Sequence, residues 1–157
     1  MPETPPAVVR EPDVYLISRQ SVVTSELDRF LANEGFQWDY SDRLSWPAEL
    51  VVESAGRLCY LSFGTGRSDL TANVNNILYS RHGSVLEHAL WGFIFTGISR
   101  SLTHELVRHR AGMAYSQLSQ RYVDESRARF VMPPAIQGHP DEEAVWFKEV
   151  AEDLANY

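Results

Sequence analysis

Apolar positions fall into blocks along the chain, and the spacing inside each block differs. After Pro12 and Asp13, residues 14–18 (VYLIS) form a short apolar run that predicts a strand. Between residues 24 and 33, Leu27, Phe30 and Leu31 share one helical face, with Thr24 or Ser25 placed to cap its start. Residues 38–45 are turn-like, and Pro47 suits the first position of a helix carrying Leu50, Val51, Ser54, Leu58 and Cys59. A loop over 64–68 precedes a further helix over 70–80, with Val74, Ile77 and Leu78 at helical spacing, and residues 82–87 read as a connection. The run 90–98 (LWGFIFTGI) is dense in aromatic and β-branched residues and predicts a buried strand. Ser99 then offers an N-cap to a helix lined by Leu102, Leu106 and His109, which reaches the neighbourhood of Arg110 and is broken by Gly112. Residues 129–132 predict a short strand stopped by Pro133 and Pro134. A last amphipathic helix over 141–157 begins with acidic residues, which suits the helix dipole. There is no internal repeat. The mixture predicts an α+β fold, with helices packed on a small antiparallel or mixed sheet.

At 157 residues the chain suits one domain, and a 44 % hydrophobic content can fill one core. The start stands apart: Pro2, Pro5, Pro6 and Pro12 with little apolar periodicity predict a flexible arm over 1–12, ahead of a domain over 13–157. A formal net charge of -7 argues against a general nucleic-acid binder, since neutralising phosphates takes clustered Lys and Arg. It leaves room for a small anionic ligand in a local basic pocket. Cys59 is the one cysteine, so no disulfide forms within the chain and no cysteine-based metal site is expected; that usage suits a reducing cytoplasm. No apolar run is long enough to span a bilayer, and the acidic, Pro-rich start lacks the apolar segment of a signal peptide. A cytoplasmic protein without membrane or nucleic-acid partners is the expectation.

The chemistry concentrates after residue 99. Arg100, Arg108, Arg110, Arg121, Arg127 and Arg129 lie between residues 99 and 130, against Glu105, Asp124 and Glu125. In an acidic chain such a local excess of cations points to an anion site. Arg108-His109-Arg110 places two guanidiniums at a helix end, and a Gly break and a run of Ser, Gln and Arg follow. Guanidinium makes planar, bidentate contacts with phosphate, and amide side chains carry both the donor and the acceptor that a base edge requires. Taken singly, each Arg reads as readily as a surface ion-pair partner, and Gln117-Leu118-Ser119-Gln120 as an exposed helix face; the joint pattern favours the anion site. Two other readings fail on spacing. His104 and His109 are five apart, whereas a zinc-protease helix needs its histidines four apart on one face, so no metal is expected. Gly64-Thr65-Gly66 lacks the third glycine and the preceding strand of a dinucleotide fingerprint.

Arg108-His109-Arg110, a spacer, and Ser119-Gln120-Arg121-Tyr122 resemble the signature of the flavin-dependent thymidylate synthases: Arg-His-Arg, seven variable residues, Ser, one variable residue, Arg. Ser84-Val85-Leu86-Glu87-His88 is similar to that family's Ser/Thr-x-x-Glu-His segment. Ala55-Gly56-Arg57, Cys59-Tyr60, Thr96-Gly97-Ile98-Ser99-Arg100 and Thr103-His104-Glu105-Leu106 resemble its actinobacterial branch. The resemblance implies reductive methylation of carbon 5 of dUMP, with methylenetetrahydrofolate supplying the carbon, NADPH the electrons and FAD carrying the hydride. It implies a homotetramer with shared sites. By position, it implies that His82, Ser84 and Glu87 line the flavin and that Arg108, His109 and Arg110 grip FAD, with Arg108 also reaching the nucleotide. Glu105 and Tyr60 stand as nucleotide neighbours. Gln117, Ser119, Gln120 and Arg121 match the segment around the dUMP phosphate and base, Gln117 also facing the cofactor. No residue is singled out as catalytic.

Two departures modify this. The spacer, residues 111–118, holds eight residues instead of seven, so a bulge is expected at Gly112. The longer spacer motivates a second reading, the same methylation acting on UMP in nucleoside-antibiotic synthesis, because a ribose 2′-OH needs extra room or an extra partner. Family members also continue past the position of Tyr157 with a helical region that carries further Asn and Arg residues, so the resemblance implies a fragment or altered activity. That motivates a third reading, a non-catalytic subunit binding flavin or nucleotide.

Overall fold

A computed structural model describes residues 6–66, 69–123 and 128–156. In chain order the elements are β1 (Ala7–Val9), β2 (Asp13–Arg19), α1 (Thr24–Glu34), α2 (Pro47–Tyr60), α3 (Leu70–Tyr79), α4 (Gly83–Leu86), β3 (Trp91–Thr96), α5 (Arg100–Leu106), β4 (Arg129–Val131) and α6 (Pro140–Asn156). The α+β expectation holds, with less sheet than anticipated: β1 pairs with β4 and β2 with β3, two strands in each case. Two units form, Leu16–Phe93, called here the central unit, and Met1–Tyr15 with Ile94–Tyr157, the terminal unit. No helix among the described residues is long and apolar enough to cross a membrane.

The core of the central unit gathers on Phe63. Leu31, Tyr40, Leu50 and Phe63 are buried together, and Val22, Leu27, Phe30, Phe36 and Trp38 pack around them. The Phe63 ring lies 5.4 Å from Phe30, 5.3 Å from Phe36 and 5.5 Å from Trp38, in tilted and edge-on arrangements that suit the ring quadrupoles. The amphipathic face anticipated for α1 is therefore the one that packs. Its start is not capped as expected: Val23 holds the N-cap position and no side chain caps it. Its end is closed by Gly35 at φ 72°, with the Phe36 N–H bonded to the Leu31 carbonyl at 2.8 Å.

Helix α2 begins at Pro47, whose missing N–H costs nothing in the first turn. It buries an acid that the apolar pattern did not mark. Glu53 is 0 % exposed and accepts from Arg43 Nε at 2.7 Å and from Arg57 Nε and Nη2 at 2.9 and 2.7 Å. Trp38 lies under both guanidiniums, 5.9 Å from Arg43 and 5.0 Å from Arg57. Burial opposes the Arg43 charge, but the Glu53 hydrogen bond and charge outweigh it, so the Arg43 pKa is raised. Arg57 Nη1 also donates to the carbonyls of Ser62 and Thr65 at 2.7 and 2.8 Å, fixing the chain that follows α2.

Two further expectations need correction. Residues 82–87 are not a plain connection, because Gly83–Leu86 forms one helical turn, α4. The strand expected to be buried is β3, and Trp91, Phe93, Ile94 and Phe95 are all largely exposed. Strand β2 is exposed along its whole length. A two-stranded ladder buries a face only when another layer is laid on it.

The terminal unit corrects the flexible arm in part. Ala7, Val8 and Val9 pair in parallel register with Arg129, Phe130 and Val131, and the Met132 N–H bonds to the Val9 carbonyl at 2.9 Å. Gly97, at φ 67°, lies so close to this segment that a Cβ would meet the Glu11 carbonyl oxygen at 2.5 Å, a position only glycine fills without strain. Arg10 then grips Glu143 of α6 through Nη1 and Nη2 at 2.8 and 2.6 Å, and the Gly138 N–H donates to the same carboxylate at 2.8 Å. These donors, Arg10 first, lower the Glu143 pKa from 4.5 to about 2. A depressed carboxylate contributes stability above its unfolded pKa and loses it as pH falls through the folded one. Glu143 should therefore help hold β1 to α6 above pH 4.5 and release it progressively towards about pH 2. In acid titrations followed by circular dichroism, Glu143→Gln should flatten that part of the curve; an unchanged acid limb would refute the assignment.

Candidate functional site

The signature segment is built on α5. Ser99 caps this helix as anticipated, its Oγ accepting the Leu102 N–H at 3.2 Å. The helix stops at Leu106, short of the expected neighbourhood of Arg110. Arg108 N–H bonds to Glu105 O at 3.2 Å and His109 N–H to Leu106 O at 3.1 Å, tight turns that close the last carbonyls. Arg108, His109 and Arg110 therefore leave the helix axis one after another, all exposed. Gly112 takes φ 69°, the left-handed turn expected of it, and the Met113 N–H bonds to the Arg110 carbonyl at 3.1 Å.

The eight-residue spacer then folds back along α5. Both terminal nitrogens of Arg100 donate to the Leu118 carbonyl at 3.1 Å. The Gln117 amide donates to Thr103 Oγ1, and Thr103 Oγ1 donates to the Arg100 carbonyl at 3.0 Å. The Tyr115 hydroxyl closes the turn onto the His109 carbonyl at 3.1 Å. From the sequence Arg100 counted in the cationic excess and, with Thr103, in the family resemblance, neither with a role of its own; their i, i+3 spacing on one helix face is the signal that could have found one. Gln117 thus spends an amide donor on the helix and keeps its carbonyl oxygen for other partners.

Beyond this tie the chain turns again. Ser119 Oγ accepts the Arg121 N–H at 3.3 Å, and the Val123 N–H bonds to the Ser119 carbonyl at 3.2 Å. The Arg121 guanidinium rests on its neighbour Tyr122, 5.6 Å from the ring centroid, and is exposed. Glu105 reaches Arg108 only at 4.0 Å, with both side chains in solvent. The result is an open, cationic arch in the terminal unit that carries Arg108, His109, Arg110, Gln117, Ser119, Gln120 and Arg121. Arg127, counted in the same cationic stretch, lies outside the described residues.

The remaining expected site residues sit in the central unit. Tyr60 ends α2, and its ring stacks on His82 with centroids 6.4 Å apart and planes 22° apart. His82 holds the N-cap position of α4, Ser84 lies within its single turn and Glu87 at its C-cap, all three exposed. The structure brings Tyr60 and His82 together, and it gathers the arch residues into one turn-rich segment. Neither of two sizeable hollows includes any of them. One, of about 380 Å³ in the central unit, runs from Arg19 to Leu50; the other, of about 530 Å³, lies against α6 at Trp146.

The arch of this α+β chain presents guanidiniums, an imidazole, amides and a serine, side chains whose donors suit phosphate oxygens. Comparison with known proteins makes this specific. Residues 44–157 match the family described as thymidylate synthase complementing protein, and the chain belongs to that family. It is 46% identical over 115 residues to a flavin-dependent thymidylate synthase of Mycobacterium avium strain 104, covering 71% of this chain and 44% of that protein. A protein of the same name from Mycobacterium tuberculosis strain H37Rv gives the same figures, 46% over 115 residues, 71% and 44%. The one from Mycolicibacterium gilvum is 50% identical over 94 residues, covering 58% and 37%. The chain thus spans less than half the length of these relatives.

Proposed function

We propose that this chain binds FAD and a uridine 5′-monophosphate and takes part in reductive methylation of carbon 5 of dUMP, with methylenetetrahydrofolate and NADPH as co-substrates. The observation that carries the reading is the pinned arch. Arg100 and Thr103 hold the spacer against α5, which pre-orders the cations that bracket it. The donor set of the arch fits FAD, since Arg108, His109 and Arg110 supply charge-assisted donors for its pyrophosphate. Within the central unit, Tyr60 and His82 offer a stacked ring pair to a planar system. When bound, the flavin supplies hydride chemistry that no side chain of this protein can.

The chain's own residues bind and orient. Ser119 Oγ and the Arg121 guanidinium take the 5′-phosphate. Gln120 and the free oxygen of Gln117 face the base or sugar, with Glu105 beside them, and Ser84 and Glu87 flank the flavin. No His lies between Gly112 and Val123 to activate the Ser119 hydroxyl, so Ser119 is assigned to binding. The eight-residue spacer, bulged at Gly112, favours testing UMP beside dUMP, since the added residue offers room for a 2′-OH. A homotetramer fits the exposed apolar residues of β2 and β3 and the open face of the arch. The composition suits the cytoplasm.

Arg121 gives the sharper test of the nucleotide assignment. Its contact forms before and during reaction, so Arg121→Ala should raise the apparent KM for the nucleotide about tenfold or more while kcat and flavin affinity change little. An unaltered KM would contradict the phosphate role. A fall in kcat alone would assign Arg121 to the chemical step instead.

A further inference from the structure

Helices α2 and α3 end in the same way, and both ends use an unfavourable residue. At the end of α2 the Ser62 N–H bonds back to the Arg57 carbonyl at 3.0 Å and the Leu61 N–H to the Leu58 carbonyl at 3.3 Å. At the end of α3 the His82 N–H bonds to the Ile77 carbonyl and the Arg81 N–H to the Leu78 carbonyl, both at 3.1 Å. Each is a Schellman turn, whose penultimate residue must be left-handed and is usually glycine. Helix α1 follows that rule with Gly35. Here the positions are filled by Leu61 at φ 47° and Arg81 at φ 55°, the two non-glycine residues of positive φ among those described. A Cβ in that conformation crowds the following carbonyl and costs free energy.

Neither side chain is buried in a way that would offset that cost. The Leu61 side chain is 63% exposed, so it gains little from packing. Arg81 is exposed and makes no ion pair among the described residues. Their places are informative: Leu61 follows Tyr60 and Arg81 precedes His82, the two members of the stacked ring pair. Backbone strain of this kind collects where a surface is held ready for a ligand. Arg57, locked to Glu53 and to the Ser62 and Thr65 carbonyls, fixes the α2 side of the pair from beneath.

Resting on the function proposed above, we infer that Leu61 and Arg81 are binding residues of the central unit. They complete, with Tyr60 and His82, a platform for a planar heteroaromatic ring that carries a phosphate. The rings and Leu61 supply the apolar surface for the ring system, and Arg81 supplies the cation for the phosphate. FAD and dUMP share that chemistry.

The test titrates the full chain separately with FAD, by flavin fluorescence, and with dUMP, by calorimetry, and records the melting temperature of each variant. Leu61→Gly and Arg81→Gly relieve the left-handed backbone, so both should melt at or above the wild-type temperature. Arg81→Gly should bind one of the two ligands about tenfold or more weakly, and Leu61→Gly severalfold more weakly. The ligand whose affinity falls identifies the occupant. Arg81→Asn, which tolerates the left-handed turn but lacks the charge, should lose as much affinity as Arg81→Gly even if the glycine variant folds poorly. Unchanged affinity for both ligands in Arg81→Asn and Leu61→Gly overturns the inference and leaves the proposed function standing. Wild-type protein that binds neither ligand overturns both.

Discussion

Glu53→Ala is expected to destabilise the protein by about 3–5 kcal/mol, enough to remove much of the folded population of a domain with ordinary stability. The reason is the asymmetry of a buried ion network. Glu53 is fully buried between Arg43 and Arg57, and its removal takes away the buried carboxylate that the two guanidiniums share. Arg43 keeps Asp42, which is exposed, and Arg57 keeps the Ser62 and Thr65 carbonyls, neither of which replaces a buried anion. Glu53→Gln should be milder, because the amide oxygen still accepts from one guanidinium, although its NH2 meets the other donor to donor. Urea unfolding of both variants checks this. A loss under about 1 kcal/mol for Glu53→Ala would mean that the three side chains separate or hydrate in solution.

Arg108→Ala and His109→Ala are expected to weaken FAD affinity about tenfold to a hundredfold each, the value of a charge-assisted contact to pyrophosphate, about 1.5–3 kcal/mol. The site makes this a clean experiment. Arg108 is exposed, and its nearest carboxylate, Glu105, lies 4.0 Å away in solvent, a pair that contributes almost nothing to folding. His109 is likewise exposed beyond the end of α5. Both variants should melt with the wild type, so a loss of flavin reports the ligand contact and not the fold. Full flavin occupancy in both would remove these two residues from the cofactor site.

Much of the fold was legible because its elements are long enough to be periodic. The apolar faces of α1 and α2, Pro47 at a helix start, Ser99 at another and the acidic first turn of α6 all follow from local rules, and all are present. What escaped is nonlocal or too short. Strand β1 has three residues and takes its order from β4, near the other end of the chain, so nothing in its own sequence separates it from a flexible arm. Helix α4 is a single turn. The run 90–98 is apolar whether or not a layer covers it; composition reports propensity for a strand, and burial depends on what is laid upon it. The apolar pattern of α2 does not mark Glu53, since its partner Arg43 sits in the turn ten residues earlier.

The site was legible as a list and not as an arrangement. Arg108 to Arg121 reads as an anion-binding segment from charge alone, and the segment lies within the residues that match the family. That the segment doubles back on α5 depends on Arg100 and Thr103, whose roles appear only when the spacer is seen to close on them. The pairing of Tyr60 with His82 depends on two helix ends meeting, which no spacing rule anticipates.

The central claim is that this chain works on a uridine monophosphate through a bound flavin. It is tested most directly by mixing the FAD-loaded protein anaerobically with dUMP, NADPH and methylenetetrahydrofolate labelled at the methylene carbon, and separating the nucleotides. The label should appear in the C5 methyl group of dTMP, with yield falling in step with flavin content when Arg108 is replaced. Unlabelled nucleotide from protein that retains its flavin would contradict the account.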